Sequence, residues 1–192
     1  MTLNQVARVQ IGYQSRGRVE PDPRGRYRLI QIKDLDDEGR LCVQGVYRIT
    51  PEGSNPERYQ VNQGDVLFLS RGNRNFATLV DVNLQDTIAA AYFFILKPDG
   101  ATVLPQYLAW YINSAPAQQF IQSLARRGTY MPVVPKSALE KLPIDVPPLR
   151  VQKTIVELDN LTKKERSLLQ ELEERRAELI RACCLQAAKQ KV

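Results

Sequence analysis

The last fifth of the chain limits its possible architectures most. No Gly or Pro interrupts the residues from Leu149 to Lys191, and Pro147-Pro148 stands at their start, where a missing N–H costs a helix nothing. Leu158, Leu161, Leu168, Leu172, Leu179 and Ala182 recur on a three-four-three-four register, with Glu165 and Arg175 in its two polar slots. That stripe is the narrow seam of a coiled coil, not the wider face of a globular helix. Some forty helical residues extend about 60 Å, farther than a small domain can cover. The seam therefore needs a second helix, and a second copy of the chain is the simplest source.

The preceding residues read differently. Tyr27–Ile32 and Leu41–Ile49 alternate as two strands of a hairpin around the turn Asp36-Asp37-Glu38-Gly39. Val66-Leu67-Phe68-Leu69 reads as a buried strand after the Gln63-Gly64-Asp65 turn, and strands are expected around Ala77–Val82 and Ala89–Leu96. Helical periods begin at Pro105, through Leu108 and Ile112, and again at Pro116, through Phe120 and Leu124. Strands first and helices later imply an α+β fold with a mixed, mostly antiparallel sheet. The expected division is an α+β domain over residues 1–148 and the long coiled-coil helix over 149–192.

Composition excludes more than it selects. The chain has no histidine, which removes Ser-His-Asp and Cys-His catalysis and His-based zinc sites. Cys42, Cys183 and Cys184 fit no metal spacing or disulfide framework and read as reduced bystanders. Asp34, Asp36, Asp37 and Glu38 are explained by turn solvation better than by a metal. No Gly-rich phosphate loop precedes a helix. No apolar run is long enough for a membrane span and the N-terminus has no signal-peptide pattern, so a cytoplasmic location is expected.

Net charge is +6, with 17 basic against 14 acidic residues before Leu149 and 10 against 7 from there on. That excess is mild, and its distribution says more. Residues 1–28 hold Arg8, Arg16, Arg18, Arg24, Arg26 and Arg28 against only Glu20 and Asp22. The planar guanidinium suits phosphates and guanine edges. Gln14, Arg16, Arg18, Arg24 and Arg26 belong to an expected basic loop. The buried strand ends in a second, Arg71, Asn73, Arg74 and Asn75, where arginine suits guanine and asparagine suits adenine. Asn and Gly also simply make turns there. Arg126, Arg127, Thr129 and Tyr130 repeat the theme at a helix end, where cations also complement the helix dipole. Tyr13 and Tyr27 read as core or rim packing, and Trp110 as core.

Three stretches in fixed order resemble the specificity (S) subunits of type I restriction-modification systems. They are Tyr27-Arg28-Leu29-Ile30-Gln31-Ile32-Lys33-Asp34, then Gly64-Asp65-Val66-Leu67-Phe68-Leu69-Ser70-Arg71-Gly72, and the run from Tyr107-Leu108 to Leu142-Pro143-Ile144-Asp145-Val146-Pro147-Pro148-Leu149-Arg150-Val151-Gln152. The last is the most specific. The resemblance implies a target recognition domain that reads one half of a split DNA site. It also implies long helices that space two such domains and dock methyltransferase (modification) subunits, which bind S-adenosylmethionine, together with a restriction subunit. Asn55-Pro56 followed by Glu57 does not resemble a methyltransferase motif, and no cofactor site is legible in this chain.

Standard S subunits carry two recognition domains and two long helices, whereas this sequence carries one set. It therefore resembles a half-subunit. The expectation is a non-catalytic, sequence-specific reader of double-stranded DNA that works as a homodimer through Leu158, Leu161, Leu168, Leu172, Leu179 and Ala182. Antiparallel pairing would give an inverted-repeat target with an unread spacer, although the polar slots allow either pairing. The alternative is a coiled-coil assembly or decoy protein without its own DNA recognition.

Overall fold

The computed structural model describes all residues except 16, 18, 37, 54, 73, 125–131 and 190–192. The chain divides into two compact units, Met1–Lys153 and Thr154–Val192.

Within the first unit, a short helix α1 (Leu3–Val6) leads into strand β1 (Ala7–Ile11), which is followed by β2 (Tyr27–Ile30) and β3 (Arg48–Ile49). Strands β4 (Val66–Leu69), β5 (Ala77–Leu79), β6 (Thr87–Ala89) and β7 (Phe93–Pro98) follow, then helices α2 (Pro105–Ile112), α3 (Ala115–Leu124) and α4 (Lys136–Leu139). The fold is α+β with two sheets. One is antiparallel throughout, in the order β1-β7-β4-β5; the other runs β3-β2-β6, with β2 antiparallel to β3 and parallel to β6. The side chains of Ile30, Leu67, Leu69, Ala89, Phe93 and Ile95 join both sheets in one core. Tyr13, Tyr27, Leu29, Ile49 and Ile88 form a second.

Val66–Leu69 is buried on every side chain, as a strand covered on both faces should be. Two expectations need correction. The hairpin exists, with Tyr27 opposite Ile49, but the chain leaves it at once for a 3-10 turn at Ile32–Asp34 and a single bridge between Leu35 and Leu41. The Asp34 carboxylate is the reason: it is buried and accepts the Gln31 N–H, which curls the strand end. The expected strand Ala89–Leu96 is two strands in two sheets, separated by Ala90-Ala91-Tyr92. Trp110, expected in the core, is half-buried beside Tyr107.

Helix α5 (Leu149–Lys189) starts inside the first unit and is held there by Gln152, which is fully buried. Its side-chain oxygen accepts the Leu104 N–H at 2.8 Å, and its amide nitrogen donates to the carbonyls of Thr102 (3.0 Å) and Pro147 (2.8 Å). Just before it, the Asp145 carbonyl accepts the Tyr107 hydroxyl at 2.6 Å, and its carboxylate accepts that of Tyr111. Burial pushes the Tyr107 hydroxyl up to about 12 and that of Tyr111 upward too. Leu142 and Ile144 are buried, and the Ile144 N–H donates to the Met1 carbonyl.

The second unit is the remainder of α5. Leu158, Leu161, Leu168, Leu172 and Leu179 are all more than half exposed in the single chain, and Ala182 is exposed as well. Leu169, Ile180 and Leu185 are exposed too. Arg175 pairs with Glu171 one turn away, as expected for a solvated flank.

Candidate nucleic-acid interface

The site begins where β1 ends. Gly12 passes so close to the corner between β6 and β7 that a Cβ there would lie 2.2 Å from the Ala90 carbonyl oxygen. Its N–H donates to Phe93 and the next one, of Tyr13, to Ala89. This close approach is open only to glycine, and it delivers Gln14 to the rim of a cleft. Strand β2 contributes Leu29, and Gln31, one residue past its end and still extended, lines the same cleft. Strand β4 contributes Arg71 at its exit. There Ser70 donates both its N–H and its hydroxyl to the Tyr92 carbonyl, each at 2.9 Å. The backbone of Ser70–Gly72 is also bridged to Pro132–Val134.

Gln14, Gln31, Arg71 and Tyr92 thus surround one cleft of about 400 Å³, floored by Tyr13, Leu29 and Ala90. The Tyr47 hydroxyl donates to the Gln31 side-chain oxygen at 2.9 Å, which turns the amide N–H groups away from Tyr47. The Arg71 guanidinium carbon lies 5.7 Å from the centroid of the Tyr92 ring, and Tyr92 is 41% exposed. Arg71 makes no ion pair with a described residue. Chemically this is a set of donors beside an exposed ring, able to meet the acceptor groups and flat faces of nucleobases.

The remaining sequence candidates lie elsewhere. Arg24 closes a turn on the Asp22 carboxylate with its N–H. The Thr50 hydroxyl, also bonded to Asp22, holds that carboxyl below its ordinary range. Arg26 pairs with Asp86 at 3.5 Å and lies over the Tyr27 ring. Arg74 and Asn75 line a different hollow with Phe76, Asn113, Gln118 and Gln122, and the Asn75 amide donates to the Leu69 carbonyl. Arg16, Arg18, Asn73, Arg126, Arg127, Thr129 and Tyr130 lie outside the described residues. Gln31 and Tyr92 were missed by sequence reasoning. The alternation with Leu29 marks the face of Gln31, whereas Tyr92 is hidden inside an apolar run.

Against this geometry, the family described as type I restriction modification DNA specificity domain matches residues 2–174. The chain belongs to that family. Among curated proteins no match was found. Solved specificity subunits share the fold. The type I restriction-modification system S subunit from M. genitalium aligns over 93% of this chain and 42% of its own, with TM-score 0.59 and 16% identity. The HsdS subunit from Thermoanaerobacter tengcongensis aligns over 94% and 46%, with TM-score 0.64 and 19% identity. A chain from a structure on complex assembly and conformational transition of the type I R-M system aligns over 100% and 50%, with TM-score 0.66 and 17% identity. This specificity-domain chain therefore spans about half the length of the structures it matches. Among the described residues no group of acidic or cysteine side chains is arranged to hold a metal, and no helix is long and apolar enough to cross a membrane.

Proposed function

We propose that this chain is a non-catalytic DNA-reading component of a type I restriction-modification complex and that its cleft reads base edges of duplex DNA. The observation that carries this reading is the convergence of Gln14, Gln31, Arg71 and Tyr92 on one cleft in a chain of this family. Arg71 supplies a donor fork suited to guanine O6 and N7, and the two glutamines supply amide groups. The surrounding arginines add phosphate contacts that fix position without reading sequence.

We further propose that α5 pairs with a second copy through Leu158, Leu161, Leu168, Leu172, Leu179 and Ala182. The exposed leucines support this, because a continuous apolar stripe left in water is unfavourable by about 25 cal/mol per Å². Antiparallel pairing of rods about 60 Å long would space two half-sites within roughly 20 base pairs. The target would be an inverted repeat with an unread centre. Methyltransferase (modification) subunits and a restriction subunit are the proposed protein partners.

Selection of bound duplexes from a random library tests the reading. A split, inverted consensus is expected, together with a steep loss of affinity as salt rises. Arg71→Ala combined with Gln31→Leu should relax the consensus. Unchanged selection by that variant would overturn the cleft assignment, and enrichment of no sequence by the wild type would transfer the function to the assembly or decoy alternative.

A further inference from the structure

We propose that the hollow between Arg28 and Arg48 is a phosphate-binding site, separate from the base-reading cleft. The two arginines are register partners across β2 and β3, so their side chains leave the sheet on one face. Like charges placed directly opposite destabilise a strand pair. Arg28 is half-buried and makes no ion pair with a described residue. Arg48 is held in place, because its guanidinium donates to the carbonyls of Gly25 (3.3 Å) and Arg26 (3.2 Å).

The far wall is built to match. Asn83, Gln85 and Asp86 line the same hollow of about 300 Å³. Asp86 is the one non-glycine residue among those described with positive φ, at 44°, and its carbonyl accepts the Arg28 N–H at 2.8 Å. A left-handed conformation at such a residue costs free energy and persists only where its surroundings demand it. Asn83 and Gln85 bring two amide side chains beside the arginine pair. Arg26 engages the Asp86 carboxylate at 3.5 Å, so the one carboxylate lining the hollow is already paired with a guanidinium other than Arg28 and Arg48. The hollow therefore keeps a net positive charge, and guanidinium forks bind phosphate oxygens in pairs. That group comes from the DNA backbone or from free phosphate, and only the first source rests on the DNA-binding reading above.

Thermal unfolding of the full chain in sodium phosphate, against sodium chloride of equal ionic strength, reads the site without DNA. At fifty-fold saturation the wild type should gain about 5 °C. Arg28→Gln should lose that gain, and Asp86→Asn, which keeps a residue tolerant of positive φ, should enlarge it. In chloride alone Arg28→Gln should be at least as stable as wild type, because a repulsion has been removed. An equal phosphate shift in Arg28→Gln, or a lower melting temperature of that variant in chloride, overturns the proposal. The source follows from duplex binding measured against salt. If the slope of log K on log[salt] falls by about 1 in Arg28→Gln, the phosphate is one of the backbone. An unchanged slope in Arg28→Gln, beside a wild-type phosphate shift that this variant has lost, assigns the site to free phosphate. Absence of any duplex binding refutes the DNA reading but leaves the thermal result standing.

Discussion

Replacing Gln152 tests how the long helix is anchored. Its side chain makes three hydrogen bonds while fully buried, to the Leu104 N–H and to the carbonyls of Thr102 and Pro147. Leucine has similar volume but satisfies none of them. At about 1 kcal/mol net per neutral bond, Gln152→Leu should cost about 3 kcal/mol, and more if the three backbone groups find no water. Gln152→Glu should be worse at neutral pH. Its carboxylate can still accept from Leu104 but is set against two carbonyl oxygens. The helix dipole offsets only about 0.5 kcal/mol of that repulsion. Protonation would restore one donor, so the folded-state pKa of the new carboxyl lies above its unfolded value. The Glu variant therefore closes part of its gap to wild type below the unfolded carboxyl pKa and loses that gain as pH rises through the folded one. Trp110, the single tryptophan, packs 5.5 Å from Tyr107 and reports on this region during urea unfolding. With a slope of about 2 kcal/mol/M, the leucine variant should lower the midpoint by roughly 1.5 M. A shift below about 0.5 M, or leucine and glutamate variants that agree at every pH, would refute the anchoring argument.

Other perturbations have equally definite outcomes. Gly12→Ala places a methyl within 2.2 Å of the Ala90 carbonyl oxygen and should cost at least about 3 kcal/mol in chemical unfolding, with loss of duplex binding. Asp65 is buried, accepts Lys97 at 2.7 Å and also accepts the Asn62 N–H; Asp65→Ala should cost about 3 kcal/mol because it leaves the largely enclosed Lys97 with the Gln60 carbonyl but no counter-charge. Tyr107→Phe should cost about 1 kcal/mol. In the native wild type, ultraviolet titration should find the Tyr107 phenol neutral until about pH 12; its share of stability is complete below the ordinary tyrosine pKa and is lost as pH climbs through that value toward 12. Leu161→Asp should leave the Trp110 unfolding curve in place while reducing the mass measured by light scattering from dimer to monomer.

What could be read from the residues divides along the range of the interactions involved. Helix α5 was legible because a helix is specified by neighbours three and four apart, and forty uninterrupted residues carry many such pairs. Val66–Leu69 was legible from its burial on both faces and the Gly64 turn before it, where φ is +90°. The break at Ala90-Ala91-Tyr92 was not. Small and aromatic residues are all compatible with extended chain, and only the demand that β6 lie beside β2 while β7 lies beside β4 separates them. That demand lives in tertiary structure.

The same division explains the candidate site. Arg71 follows a buried strand, so its place at a rim is a local inference, and it does line the cleft. Tyr92 reaches the cleft only because the chain changes sheets beside it, and no periodicity announces that change. The resemblance to specificity subunits was clearest in Leu142–Gln152, yet the structure makes those residues an anchor: Leu142 and Ile144 fill the core, Asp145 receives two tyrosine hydroxyls and Gln152 ties down the first turn of α5. An anchor must keep its residue types whatever the domain binds, whereas a surface that distinguishes one DNA sequence from another must vary with its target. The clearest motif, Leu142–Gln152, and the reading surface are therefore different residues, although Gln31 and Arg71 fall within the other two resembling stretches. Exchanging Gln14, Gln31, Arg71 and Tyr92 together should alter which duplex is bound while leaving the melting temperature of the anchor region unchanged.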